Sequence, residues 1–182
     1  ESSVNQEAQE ELIAQFGGVV IKPLPIINGL AVLLPESEGI ERIGIVRVEN
    51  DAVVRALPAK TASQPVEVLE WGVDRIDADL LWPGNTGAGV KVSILDTGID
   101  LDHPDLKDNI KGSINTINPR KSANDDNGHG THVAGTVAAI DNDIGVIGVG
   151  PGISLYAVKW LDRNGFGFLS DVTATDYLGW GE

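Results

Sequence analysis

The 182-residue chain contains no cysteine. Disulfides therefore cannot hold its fold, cysteine-based zinc sites are excluded, and the redox compartment leaves no trace in the sequence. Methionine is also missing, even from position 1. The chain is thus expected to begin inside a longer gene product or after processing, with any signal peptide lying upstream of Glu1. Bases are scarce: 13 Lys and Arg stand against 27 Asp and Glu, a net charge of −14. Such a surface repels phosphate backbones and anionic membranes, so neither nucleic acid nor membrane is an expected partner. No apolar run approaches the length of a membrane span. The composition is that of a globular protein, 42% hydrophobic with a mean hydropathy near zero, long enough for one or two domains.

Histidine is rare as well, and two of the three residues fall in DDNGHGTHVAGTVAA, residues 125–139. Gly128 and Gly130 flank His129 without a Cβ, so backbone or substrate can approach the imidazole from both sides. Val133, Ala134, Val137, Ala138 and Ile140 recur at helical spacing. This predicts a buried helix whose first turn holds His129 and His132. A positioned histidine titrates near neutral pH and is the usual general base, whereas a lone one is more often structural.

A second stretch, GVKVSILDTGIDLDHPDL over 89–106, shifts that balance. Val90, Val92, Ile94 and Leu95 form a short apolar run ending at Asp96-Thr97-Gly98. An apolar, β-branched strand suits a parallel sheet covered on both faces. Catalytic groups of open α/β sheets lie beyond the carboxyl ends of the strands, where Asp96 stands. A carboxylate there can hold an imidazole in one tautomer and stabilise the imidazolium.

Asp-Thr-Gly-Ile-Asp at 96–100, His-Pro-Asp-Leu at 103–106 and Gly-His-Gly-Thr-His-Val-Ala-Gly-Thr at 128–136 together resemble the subtilisin-like serine proteases, from about Trp71 to at least Gly167. The resemblance implies a doubly wound parallel α/β sheet, here partial, and serine endopeptidase chemistry. It makes Asp96 the triad aspartate and His129 the general base. The family's serine sits in a Gly-Thr-Ser-Met-Ala-like context, which neither Ser154 nor Ser170 has, and the oxyanion-hole asparagine segment is missing too. The chain is therefore expected to be a truncated piece without its nucleophile, inactive alone. Two rival chemistries fit less well. Asp-Thr-Gly also opens aspartic-protease sites, but those need two such carboxylates. His103, His129 and His132 suggest a zinc site, but no His-Glu-x-x-His accompanies them. A non-catalytic inhibitor or pseudoenzyme is the alternative from another functional class.

The same resemblance organises the remainder. Residues 1–57 are expected to form a small ferredoxin-like α+β propeptide, an inhibitor and folding chaperone. Its elements would be a helix over 6–16 stopped by Gly17-Gly18, a strand over 19–24, a turn at Asn28-Gly29, a strand over 30–34, a helix over 36–43 and a strand over 45–54. Residues 58–66, small, polar and with two prolines, read as a linker with the processing site, between Leu57 and Val66. Residues 67–182 would be the N-terminal part of the catalytic domain. An amphipathic helix over 74–82 is expected, with Asp74 as N-cap and Ile76, Leu80 and Leu81 inward. Further strands are expected over 111–118 and 154–161. Residues 139–148 match the family's calcium loop. The implied ligands are the Asn142 side chain, the carbonyls of Ile140, Ile144 and Val146, the Asp105 carboxylate, and Glu67 where the family often has Gln. Gly165, Phe166 and Gly167 match an edge that pairs with extended substrate, and Leu161 a neighbouring apolar pocket. Polypeptide substrates, the chain's own propeptide as inhibitor, a zymogen state, structural Ca2+ and secretion follow as expectations.

Overall fold

The computed structural model describes residues 6–35, 47–56 and 66–175. The chain divides into two compact units. One comprises Glu1–Val53 with Phe168–Glu182, the other Val54–Gly167.

In the first unit, helix α1 (Gln6–Gln15) ends as its double glycine dictates. Gly17 takes φ 70°, Gly18 N–H reaches the Ile13 carbonyl at 2.9 Å and Gly17 N–H the Ala14 carbonyl at 3.0 Å. This is the left-handed helix stop that glycine makes inexpensive. Strand β1 (Val19–Leu24) then pairs antiparallel with β2 (Gly29–Leu33). The link is a 3-10 turn over Pro25–Ile27 closed by Asn28 at φ 50°, a conformation asparagine tolerates. The helix expected over 36–43 lies outside the described residues. Of the strand expected over 45–54, the described part forms a strand only at its end, as β3 (Val53–Arg55), two of whose three residues fall in the second unit. Among the described residues this unit thus offers a helix on a hairpin, and the ferredoxin-like sheet expected of it is not seen.

In the second unit, β4 (Val68–Leu69) leads into helix α2 (Trp71–Arg75). This helix is earlier and shorter than the sequence suggested. Asp77 adopts φ 55° and its N–H turns back to the Asp74 carbonyl at 2.9 Å, so the helix cannot continue. Val73 and Ala78 are buried in place of Ile76, Leu80 and Leu81, which are all exposed. The apolar spacing of those three implied a helical face that the left-handed Asp77 removes.

The sheet follows the sequence more closely. β5 (Lys91–Asp96), β6 (Ile110–Asn115) and β8 (Ser154–Lys159) form a parallel sheet in the order β5-β8-β6. Between β6 and β8 the chain makes α3 (His129–Ala138) and the short β7 (Val146–Ile147), which pairs parallel with β4. The small face of α3, with Ala134 and Ala138 fully covered, packs with Ile94, Leu155 and Ala157 of the sheet and with Ile99, Leu106, Ala123 and Ala139. Small side chains on α3 let it lie close to the sheet at interior density. The fold is therefore mixed α/β with a parallel sheet. After β8 the chain turns into β9 (Phe166–Phe168), which pairs with β3, and then into α4 (Leu169–Thr175).

Candidate active site

Two elements deliver the site. β5 ends on Asp96, whose side chain is almost wholly buried. α3 begins on His129, after Gly128 in the left-handed region at φ 102°. His129 Nδ1 lies 2.8 Å from Asp96 Oδ1 and 2.7 Å from Oδ2. An ionised carboxylate only accepts, so Nδ1 carries a proton; in the neutral imidazole Nε2 then keeps its lone pair. Thr97 N–H also donates to Asp96 Oδ1, at 2.7 Å. The imidazole remains 25% exposed against 10% for the carboxylate.

That closeness depends on glycine. A Cβ on Gly130 would lie 2.1 Å from the Gly98 carbonyl and 3.0 Å from Asp96 Cβ. One on Gly98, itself at φ 107°, would lie 2.2 Å from the Ala123 carbonyl. The first turn of α3 can approach the 96–98 turn only because these positions lack side chains.

The helix start is held by groups that the sequence reading did not single out. Gly128, as N-cap, has no side chain to satisfy the orphan N–H groups of the first turn. Asp125 does much of this instead. Its Oδ1 accepts from Gly128 N–H at 2.9 Å, Asn127 N–H at 2.9 Å and Thr97 Oγ1 at 2.8 Å. Its Oδ2 accepts from Thr131 N–H at 2.9 Å and Thr131 Oγ1 at 2.6 Å. Gly130 N–H goes to Thr97 Oγ1 at 3.0 Å and His129 N–H to Asn127 Oδ1 at 3.2 Å. Every N–H from Gly128 to Thr131 is thereby satisfied. Burial alone would raise the Asp125 pKa, but the bonds from Gly128, Thr131 and Asn127 outweigh it and hold the carboxyl below its ordinary 3.8. A short polar residue just before a helix start is a local capping signal that could have exposed this role.

Lys159 is the second omission. It closes β8, in register with Asp96 on one side and Asn115 on the other. Its buried ammonium donates to the Thr97 carbonyl at 2.5 Å and to Asp126 Oδ1 at 2.6 Å. A buried lysine needs such partners. Here they tie the strand end behind Asp96 to the loop before His129.

The residues expected around an ion are linked by hydrogen bonds. Glu67 Oε1 accepts from Asn142 N–H at 2.8 Å, and Asn142 Oδ1 from Ile144 N–H at 3.2 Å. Asp105 Oδ2 accepts from Val146 N–H at 3.1 Å, and the Asp105 carbonyl from Ile140 N–H at 3.1 Å. Asp105 Oδ1 is buried with no hydrogen-bond partner. A buried, unpartnered carboxylate oxygen is costly in a folded protein unless a cation meets it. Among the described residues no group of three or more His, Cys, Asp and Glu converges, so any ion held here would take backbone and amide oxygens as well, the ligand type of a hard cation.

Beyond β8, Leu161 is buried and lies beneath Gly167, whose added Cβ would be 3.0 Å from Leu161 Cδ2 and 2.6 Å from the Trp160 carbonyl. Asp162 folds the hairpin, its N–H donating to the Phe166 carbonyl at 2.8 Å and its Oδ1 accepting from Phe166 N–H at 3.0 Å. Gly165 and Phe166 then line the partner side of β3.

An α/β protein with an aspartate-oriented histidine at the carboxyl end of a parallel sheet is the class that fold and site define. Residues 87–178 match the subtilase family. The alkaline protease of Alkalihalobacillus alcalophilus is 39% identical over 173 residues, covering 93% of this chain and 41% of the relative. Subtilisin E of Bacillus subtilis is 37% identical over 175 residues, covering 91% and 42%. A thermostable alkaline protease of Halalkalibacterium halodurans is 44% identical over 127 residues, covering 69% and 34%. The chain belongs to the subtilase family. It spans about two-fifths of the length of most of these relatives, 41% and 42% in the first two.

Proposed function

We propose that this chain is the propeptide and the N-terminal part of the catalytic domain of a subtilisin-like serine endopeptidase. The hydrogen bond between His129 Nδ1 and Asp96 at the carboxyl end of β5 is the observation that carries the reading. With Nδ1–H committed to Asp96, Nε2 is free to take the proton of a serine hydroxyl as its oxygen attacks the peptide carbonyl. The same proton then passes to the leaving amine. Asp96 fixes the tautomer and stabilises the transient imidazolium. Serine and oxyanion-hole donors would come from sequence beyond this chain, in keeping with its 41% coverage of the alkaline protease; alone, the chain is inactive in this reading.

Polypeptide substrate would add a strand along Gly165–Gly167, with Leu161 under that edge. Ala56 N–H donates to the Gly165 carbonyl at 2.7 Å, which supports residues 1–57 as an intramolecular inhibitor that lays its own end along the edge substrate would use. The 139–148 loop carries no basic residue, which suits calcium. Asp105, Glu67, Asn142 and the carbonyls of Ile140, Ile144 and Val146 would hold it, and the unpartnered Asp105 Oδ1 is the support. Bound there, calcium would supply no chemistry to the reaction and would fix the loop. Secretion as a zymogen completes the reading; among the described residues no helix is long and apolar enough to cross a membrane.

The test is to express the coding sequence together with its downstream continuation. Hydrolysis of casein and labelling by a fluorophosphonate, both lost in His129→Ala, are expected. This chain itself should not be labelled, and labelling would refute the assignment of the nucleophile to another segment. A longer product that neither cleaves nor labels points instead to an inhibitor or pseudoenzyme.

A further inference from the structure

We infer that Phe166 makes the substrate edge selective for a cationic side chain, arginine above all, at the one position that faces its ring. This rests on the reading of Gly165–Gly167 as the edge that pairs with substrate.

The chain displays the contact on itself. Ala56 N–H meets the Gly165 carbonyl at 2.7 Å and Leu169 N–H the Ala52 carbonyl at 2.9 Å. As the chain advances from 52 to 56 its partner recedes from 169 to 165, so the pair runs antiparallel and Arg55 comes beside Phe166. The Arg55 guanidinium carbon stands 5.0 Å from the ring centroid, within the range in which the ring's negative face attracts a cation. Phe166 is 39% exposed, so its ring is presented rather than packed away. Its backbone is clamped on both sides by Asp162, which fixes where the ring points along the edge. The neighbours offer no competing surface: Gly165 and Gly167 have no side chains, and a Cβ on Gly165 would already lie 3.2 Å from Ala56 Cβ. An extended peptide in this register has its backbone held by the glycines and one side chain read by the phenylalanine.

Two explanations of a preference for cations must be separated. The chain carries −14 net charge, and that diffuse field favours any basic peptide. The ring acts at one position only, and on the charged guanidinium rather than on its uncharged isostere.

The experiment uses peptides cleaved by the protein expressed with its downstream sequence. Each carries one arginine, placed in turn at every position upstream of the scissile bond, and each has a twin with the uncharged isostere citrulline. One position should show kcat/KM higher for arginine by roughly two- to fivefold, the fold-change expected for an exposed cation–π contact. Phe166→Ala should abolish that difference, and Phe166→Trp should keep or raise it. Equal rates for arginine and citrulline at every position overturn the inference while leaving the protease reading intact. So does a preference that survives in Phe166→Ala or spreads evenly over all positions, since the field would then be its source. Failure to cleave any peptide overturns the protease reading and, with it, this inference. A readout free of catalysis is the ring-current shift of the Arg55 δ protons in this chain. It should be present in the wild type and absent in Phe166→Leu; its absence from the wild type would overturn the contact itself.

Discussion

Replacing Asp125 by alanine removes one carboxylate and strands five donors: the N–H groups of Asn127, Gly128 and Thr131 and the hydroxyls of Thr97 and Thr131. Hydrogen bonds to a charged group are each worth about 1.5–3 kcal/mol net. A plain sum overstates the loss, because Asp125 and its donors are mostly half-buried and water re-pairs some of them. Loss of an acidic helix cap alone costs about 1–2 kcal/mol. Adding one or two donors left without water gives about 3 kcal/mol for Asp125→Ala. Asparagine keeps one acceptor oxygen. Its amide nitrogen would then face Thr131 N–H, another donor, while Thr131 Oγ1 already accepts from Asp100 N–H at 2.9 Å; about half the loss, roughly 1.5 kcal/mol, is expected. The pH dependence follows from the lowered pKa. The stabilisation is fully present above the ordinary value of 3.8 and is lost as pH falls through the lower folded value. Denaturant titrations at pH 5 and then at steps below 3.8 should show wild type and Asp125→Ala converging as the pH drops. The variant should also weaken the downfield Nδ1–H resonance of His129, since the helix start that presents the imidazole is loosened. An alanine variant within about 0.5 kcal/mol of wild type at pH 5, with that resonance unchanged, would refute the reasoning.

Further outcomes derive from the same geometry. Gly130→Ala places a Cβ 2.1 Å from the Gly98 carbonyl; it should cost about 1–3 kcal/mol by overpacking and push α3 from Asp96, seen as loss of the His129 Nδ1–H resonance together with a lower denaturation midpoint. Millimolar calcium should raise the thermal midpoint, by about 2.7 kcal/mol of stabilisation at a hundredfold excess over Kd, and a chelator should reverse it. Asp105→Asn should remove that response; a midpoint indifferent to calcium would count against the ion site.

The parts legible in the sequence were those whose period or chemistry is local. The apolar run ending at Asp96 and the apolar helical spacing after His129 placed β5 and α3 nearly to the residue, and Gly17 marked the end of α1. The resemblance of their motifs to the subtilisin-like proteases paired Asp96 with His129 although they are distant in sequence. α2 was misplaced because a single backbone event, Asp77 at φ 55°, overrides an apolar pattern. Asp125 and Lys159 were passed over for another reason. Lys159 acts through partners brought together by the fold, while Asp125, although four of its five donors lie within six residues of it, stands in a polar run where a charge looks the same whether it is solvated or shared.

In the proposed reaction, proton transfer depends on Asp96 holding His129. The direct measurement is kcat/KM of Asp96→Asn, made in the protein expressed with its downstream sequence, against pH. Asparagine keeps the shape but favours the wrong imidazole tautomer, so a fall of about 10⁴-fold near neutral pH is expected. Activity within a few-fold of wild type would contradict the account.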